Sequence, residues 1–314
     1  MSKSSAHCTQ VSWFTVTNLK CAFKFTLLGW LLGMSLSGSA QHSPLHFEHI
    51  STRNGLSDGN VNVIYYGSHG FIWMGARDGL TRYDGYQTKV YRHNAGDGRS
   101  LSNNYISAIA EDGKGDIWLA TIGGGLNRFD RKSNIFYHYR HQPGNKNSIA
   151  SDFINKILFD DDGKLWIAYQ EDGIDCVDPK SMLAVHFRNA RSDQGSLSGN
   201  NIVSLYKDKH NNIWAGENGS GLNLYQRGSH RFKHFQHRDN DPESISANKV
   251  TALLEDSEGH FWAGTYGGGL NLYDPQTGNF THFVNHPMNS NSLVMNNIQC
   301  LEEDSEKRLL MFWQ

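Results

Sequence analysis

Residues 255–274 read Glu255-Asp256-Ser257-Glu258-Gly259-His260-Phe261-Trp262-Ala263-Gly264-Thr265-Tyr266-Gly267-Gly268-Gly269-Leu270-Asn271-Leu272-Tyr273-Asp274, and edited copies of this stretch recur along most of the chain. Trp262 has counterparts at Trp73, Trp118, Trp166 and Trp214, with spacings of 45, 48, 48 and 48 residues. Seventeen residues before each tryptophan stands an aliphatic residue: Leu56, Leu101, Ile149, Leu197 and Ile245. Six or seven residues after each comes a glycine followed by Leu or Ile, at Gly79, Gly125, Gly173, Gly221 and Gly269. Three landmarks in one register identify a repeat protein, and the repeat outranks chain length as a guide to architecture.

Each unit of about 48 residues divides into four short strands. In the unit around Trp214, Ile202-Val203-Ser204-Leu205-Tyr206 is a first strand with an apolar bias, and Lys207 to Asn212 is a turn cluster. Ile213-Trp214-Ala215-Gly216 is a second strand, which Glu217-Asn218-Gly219-Ser220-Gly221 reverses. Leu222-Asn223-Leu224-Tyr225 alternates as a third strand, and Phe232 to Phe235 is an outer fourth. Four antiparallel strands every 40–50 residues make one blade of a β-propeller. The expected fold is therefore all-β: a propeller of four-stranded antiparallel blades, about five complete and others partial, hence incomplete.

The turn before the tryptophan carries an Asp-x-x-Gly-x-x-Trp pattern at Asp112/Gly115/Trp118, Asp160/Gly163/Trp166 and Asp256/Gly259/Trp262. Asn211 takes the glycine place before Trp214, and Gly67 the aspartate place before Trp73. A carboxylate here accepts backbone N–H groups of the turn, glycine supplies positive φ, and tryptophan fills the space between blades. These residues are structural.

The ends break the pattern. Residues 1–40 read as a signal peptide: Lys20 and Lys24 precede an apolar run from Phe25 to Leu36, and Gly38-Ser39-Ala40 offers a cleavage site after Ala40. The run falls short of the roughly 20 apolar residues of a membrane span, although an uncleaved leader would act as an anchor. Residues 41–305 hold the repeats. Leu45 to Ile50 matches the end of later repeats and is expected to serve as a donated outer strand. The last repeat keeps register through Glu303-Asp304-Ser305, then has Lys307 where glycine is expected and Leu310 where tryptophan is expected. Residues 306–314 thus read as an aberrant tail, as if the coding sequence had lost its frame or been cut, leaving an open edge and uncovered blade faces.

With a net charge of −2 over 314 residues, nothing in the composition marks a nucleic-acid surface. Cys8 and Cys21 fall in the leader, and Cys176 and Cys300 make no disulfide framework. Cys300 stands where other repeats have Ala108 and Ala252, so burial is expected. The histidines, such as His138/His141, His234/His237 and His282/His286, recur at one place in their blades, which explains them without a metal. No His-Glu-x-x-His or phosphate loop occurs, and no cofactor or enzymatic activity is expected.

Propellers take ligands on the face formed by the loops joining strands two and three and by the loops between blades. The first set supplies Arg77, Asp78, Thr121, Gln170, Glu171, Glu217, Asn218, Thr265 and Tyr266; the second supplies Asn103, Asn104, Asp152, Asn200, Asn201, Asn248 and Lys249. Amides, carboxylates and a tyrosine around a central channel suit sugar hydroxyls.

Glu111-Asp112-Gly113-Lys114-Gly115-Asp116-Ile117-Trp118-Leu119-Ala120-Thr121-Ile122-Gly123-Gly124-Gly125-Leu126 and its copies at 255–270 and 208–222 resemble the two-component regulator propeller family. Ser100, Ser148, Ser196, Ser244 and Ser292, each ahead of a first strand, add to the resemblance, which spans residues 45–305. It implies the extracytoplasmic sensory part of a bacterial receptor, whose propellers are followed by a linking β-domain, a membrane helix and a histidine kinase or diguanylate cyclase output. It further implies a small-molecule or glycan ligand, a periplasmic location and a possible homodimer. The chain itself contains no output domain. Two rival readings are a stand-alone periplasmic carbohydrate-binding or scaffold propeller and a sialidase-like glycan enzyme. The latter needs an arginine cluster, of which only Arg77 is a plain candidate.

Overall fold

The computed structural model describes residues 12–14, as backbone only, and residues 49–313. Five four-stranded antiparallel sheets follow one another along the chain, each running from first to fourth strand in sequence order. Blade 1 comprises Val61–Tyr66, Ile72–Ala76, Gly79–Tyr83 and Thr88–Tyr91. Blade 2 comprises Ile106–Glu111, Ile117–Thr121, Leu126–Asp130 and Ile135–Tyr139. Blade 3 comprises Ile154–Phe159, Leu165–Tyr169, Ile174–Val177 and Ala184–Phe187. Blade 4 comprises Ile202–Lys207, Ile213–Glu217, Leu222–Gln226 and Arg231–Phe235. Blade 5 comprises Val250–Glu255, Phe261–Thr265, Gly269–Tyr273 and Phe280–Phe283. Repeat units and blades coincide.

Neighbouring blades are joined by burial. Each first strand packs beside the next first strand, from blade 1 through to a sixth sheet, and no packing of that extent links the sixth sheet to blade 1 among the described residues. Five apolar clusters fill the five junctions, and each contains one repeat tryptophan: Trp73 between blades 1 and 2, then Trp118, Trp166, Trp214 and Trp262 in turn. Polar stitches run alongside. Every first strand is bulged against its second strand at one place, so the bulged residue leaves the ladder and turns to the next blade. Asn62 thereby donates to the Ile106 carbonyl (2.9 Å) and Asn155 to that of Ile202 (2.8 Å). Blade 4 has Val203 at the bulge, and Ser204 makes the bond instead, to Val250 (2.9 Å).

The Asp-x-x-Gly-x-x-Trp turns divide the carboxylate between two tasks. Oδ1 of Asp112 accepts the Lys114 and Asp116 amides (2.9 and 3.0 Å), while Oδ2 accepts the Trp118 indole N–H (3.0 Å). Asp160, Asp208 and Asp256 hold Trp166, Trp214 and Trp262 in the same way, at 2.9, 2.9 and 2.8 Å. The aspartate thus fixes both the turn and the ring that locks two blades together. Gly115, Gly163 and Gly259 sit at φ between 72° and 89°, and Asn211 takes φ 62° in the fourth copy.

The sixth sheet departs from expectation. Residues 306–313 are not irregular: Leu309–Trp313 pairs antiparallel with Ile298–Glu303. Asp304 still accepts the Glu306 and Arg308 amides (both 2.9 Å), so the turn forms without its glycine, Lys307 taking φ 63°. Arg308 Nε, at 2.6 Å, occupies the Asp304 oxygen that a tryptophan takes elsewhere. A left-handed lysine is strained by about 1 kcal/mol. Lys307→Gly is therefore expected to stabilise this hairpin by about that amount, read as slower hydrogen exchange of the Met311 amide.

The strand that adds to Leu309–Trp313 is Ser12–Phe14, antiparallel with Trp13 opposite Leu310. This segment belongs to the stretch read as a leader outside the fold. Of the expected donated strand at 45–50, residues 45–48 lie outside the described residues and His49 and Ile50 are in no strand. The apolar run from Phe25 to Leu36 and the site after Ala40 also lie outside the described residues. Uncovered flanks explain two exposures. Ile64 of blade 1 is 67% exposed, whereas its equivalents Ile109, Ile157, Leu253 and Leu301 are buried against a preceding blade. Cys300, expected to be buried like Ala108 and Ala252, is exposed because no described blade follows it.

Candidate functional site

Antiparallel order puts the loops between second and third strands on one face, together with the residues that lead into the next blade. Isolated bridges tie the two sets: Ile122 to Phe153, Asn218 to Lys249, and Tyr266 to Asn297. The glycine-rich loops are held by single carbonyls of the following inter-blade loop. Gly123 and Gly125 donate to Asp152 O (2.9 and 3.1 Å), Gly219 and Gly221 to Asn248 O (3.1 and 2.8 Å), and Gly267 and Gly269 to Asn296 O (3.0 and 2.9 Å). Gly221 illustrates why the glycine recurs: its φ is 92°, and a Cβ there would lie 2.3 Å from the Phe235 carbonyl.

Several residues expected to reach a ligand instead build this face. Thr121 and Thr265 are buried, and their hydroxyls donate to the Gly125 and Gly269 carbonyls (2.7 and 3.0 Å). Glu217, at the same place in blade 4, is buried as well. Position alone places all three in the loop, but they end second strands, where the side chain lies under the loop. Asn104, Asp152, Asn200 and Asn248 likewise accept the backbone N–H groups of His93, His141, Asn189 and His237 (2.6–2.8 Å), which fixes the inter-blade loops. Asp78 is exposed but engaged by Arg92 (3.0 Å) and by the Asn104 amide (3.0 Å).

Arg77, Glu171, Asn218 and Tyr266 are exposed on the face, and Gln170 is half-buried. Around them stand Tyr105, Phe153 and Asn297, which pattern reading passed over. Phe153 is 50% exposed and Tyr266 47%, with Lys249 Nζ 4.6 Å from the Tyr266 ring centroid and the Arg77 guanidinium 5.9 Å from that of Tyr105. Tyr105 and Phe153 occupy equivalent positions, as do Asn201, Lys249 and Asn297, so comparing the column across repeats picks them out. The face thus offers exposed rings, two cations stacked on rings, and side-chain amides.

Blade 3 contains a charged cluster beneath this face. In blades 2, 4 and 5 a third-strand asparagine (Asn127, Asn223, Asn271) accepts the amide of a serine in the inter-blade loop at 2.8–2.9 Å. Blade 3 has Asp175 there, fully buried, accepting the Ala150 amide (2.8 Å) and the Tyr169 hydroxyl (2.6 Å). Asp175 Oδ1 also lies 2.6 Å from His186 Nδ1, while His186 Nε2 lies 2.8 Å from the Lys146 carbonyl. Both ring nitrogens face acceptors, so the geometry calls for an imidazolium. The hydrogen bond to Asp175 raises the His186 pKa against the opposing effect of burial. Burial, then the Asp175 charge, raise the Tyr169 phenol. Three other histidines are structural: His138, His234 and His282 each face a serine carbonyl, those of Ser100, Ser196 and Ser244.

The sequence model described as two component regulator propeller matches residues 100–123, 196–219 and 244–267. Each match runs from the inter-blade serine through the first strand, the aspartate turn and the second strand to the loop of this face, in blades 2, 4 and 5. Blades 2, 4 and 5 carry two-component regulator propeller repeats. A 69-residue segment of this regulator propeller is 38% identical to Histidine kinase P4 of Formosa agariphila, spanning 22% of this chain and 5% of that kinase. Among solved structures, it is similar to the extracellular domain of the putative hybrid two component system BT3049 from B. thetaiotaomicron (TM-score 0.67, 20% identity, 85% of this chain and 40% of that one). It is similar also to the corresponding domain of BT4673 (TM-score 0.56, 21% identity, 82% and 38%). Virginiamycin B lyase from Staphylococcus aureus shares the fold at 10% identity (TM-score 0.55, 81% and 95%). The regulator propeller therefore spans well under half of the curated kinase and of the two sensor domains.

Proposed function

We propose that this regulator propeller is the extracytoplasmic ligand-sensing part of a bacterial signal-transduction receptor, of the two-component or cyclic-di-GMP type, and that its ligand is a carbohydrate. The chain works by binding rather than by catalysis. The output belongs to a cytoplasmic domain across a membrane helix in a longer parent. Support for the receptor comes from the repeats and from the kinase and sensor domains that share them. The observation that carries the ligand class is the face itself, where exposed Tyr266 and Phe153 rings stand among Gln170, Asn201, Asn218 and Asn297. Sugar rings stack their C–H faces on aromatics and present hydroxyls to amides, which donate and accept at fixed angles.

Calorimetric titration of a panel of neutral and acidic oligosaccharides tests the reading. At least one is expected to bind, and Tyr266→Ala to weaken it by about tenfold, roughly 1.4 kcal/mol. Tyr86→Ala is the control: this tyrosine is 94% exposed in the blade 1 hairpin at the opposite end of the strands, and its loss should leave affinity unchanged. Binding that responds to Tyr86 and not to Tyr266 would overturn the site. A panel without a binder would overturn the ligand class.

A further inference from the structure

In blade 1 the second strand ends in Ala76, but in blades 2 to 5 it ends in a buried polar side chain beneath the loop that leads to the third strand. In blades 2 and 5 Thr121 and Thr265 donate O–H bonds to the loop carbonyls, and in blade 3 the Tyr169 hydroxyl donates to Asp175. Each is an O–H donor. Blade 4 has Glu217 at this position, 2% exposed, and an ionised carboxylate has no proton to give. Its Oε1 is buried without a hydrogen-bond partner, and so is the hydroxyl of Ser198 in the loop above. The main chain of that loop lies directly over the carboxyl: a Cβ on Gly199 would meet Oε1 at 2.4 Å and Oε2 at 2.6 Å.

Among the described residues, no charged neighbour is spare to compensate Glu217. On the blade 3 loop, Asp172 is held by Arg188 (3.1 Å), and Glu171 is exposed. Leading into blade 5, Lys249 is stacked on Tyr266. On the outer strand of blade 4, His234 faces the Ser196 carbonyl. The groups that favour the ionised form are the Asn201 and Asn218 amides and the Ser220 side chain, all in the two loops of the ligand face.

We propose that Glu217 is a proton-operated latch on the ligand face: protonated, it takes the part of the threonine hydroxyl and keeps the blade 4 loop closed; ionised, it draws donors from the 198–201 and 218–220 loops and reshapes the face between blades 4 and 5. Burial outweighs the surrounding donors and pushes the carboxyl up to about 7, so the change falls near neutral pH. The folded state then holds this proton more firmly than the unfolded chain. The stability it contributes is complete below the unfolded value, declines as pH rises towards 7, and is gone above it.

The latch rests on the ligand-face reading for its consequence, and its test uses no ligand, so either can fail without the other. The experiment compares the full chain with Glu217→Gln and Glu217→Thr by thermal unfolding and amide hydrogen exchange at pH 5 and pH 8. Both variants are expected to melt several degrees above the parent at pH 8 and within about a degree of it at pH 5. In the parent, protection of the 198–201 and 217–221 amides, corrected for intrinsic rate, should fall on the order of tenfold between the two pH values and stay flat in Glu217→Gln. Loop protection that changes equally in parent and variants, or a melting difference independent of pH, would overturn the proposal. If Glu217→Gln does not fold, Glu217→Thr, which restores the residue of blades 2 and 5, decides it.

Discussion

Trp118→Ala is expected to lower stability by about 3–5 kcal/mol, the cost of emptying a fully buried aromatic site. Trp118 is 0% exposed, stacks on Tyr139 at a ring separation of 5.5 Å, meets Phe159 edge-on at 5.9 Å and donates to Asp112. Its loss leaves a cavity in the junction of blades 2 and 3 and an unmet acceptor in the turn. Because a repeat array is held by nearest-neighbour interfaces, the damage should be local. Hydrogen exchange should accelerate in Ile106–Glu111 and Ile154–Phe159 while blade 5 keeps its protection. Trp118→Phe keeps the ring but loses the indole N–H, and should cost about 1–2 kcal/mol. Denaturant unfolding with both variants checks the order. Equal losses would mean that the hydrogen bond, and not the ring, joins the blades.

Asp175→Ala should cost a similar amount, about 3–5 kcal/mol, for a different reason. The carboxylate is fully buried and serves the Ala150 amide, the Tyr169 hydroxyl and the His186 ring together. Removing it strands a hydroxyl and an amide and leaves the imidazolium without its counter-charge. Asp175→Asn, which installs the residue of blades 2, 4 and 5, should cost less because the Ala150 bond can persist. The raised His186 pKa fixes the sign with pH. Its contribution is complete below the unfolded histidine value and is lost as pH rises through the folded value. Unfolding free energies of the parent should therefore fall as pH rises above the unfolded histidine value, and Asp175→Asn should flatten that fall. A slope unchanged by the substitution would remove His186 from the account.

The blades were legible because their key residues serve two levels at once. Asp256, Gly259 and Trp262 each make a local turn and a distant contact, so one spacing in the sequence reports both. The buried polar layer was harder to read. In Leu222-Asn223-Leu224-Tyr225 the alternation suggests an outward asparagine, yet Asn223 is buried and holds the Ser198 amide, because the inter-blade loop folds against it. Thr121, Thr265 and Glu217 deceived because they end second strands beneath the loop in which position places them. Phe153 escaped notice since a lone aromatic before a strand has no motif; its pairing with Ile122 places it on the face. Ile64 and Cys300 keep the register of the repeat but not its burial, since burial there depends on a neighbouring blade.

The most direct test of the account is a hydrogen-exchange footprint of the full chain with and without the oligosaccharide that binds most tightly in the calorimetric panel. Protection is expected at 77–79, 122–124, 170–172, 218–220 and 266–268, the loops of one face, with the aspartate turns at 112–116, 160–164 and 256–260 unchanged. Protection of the aspartate turns, or of the outer strands alone, would contradict a ligand face built where the second strands end.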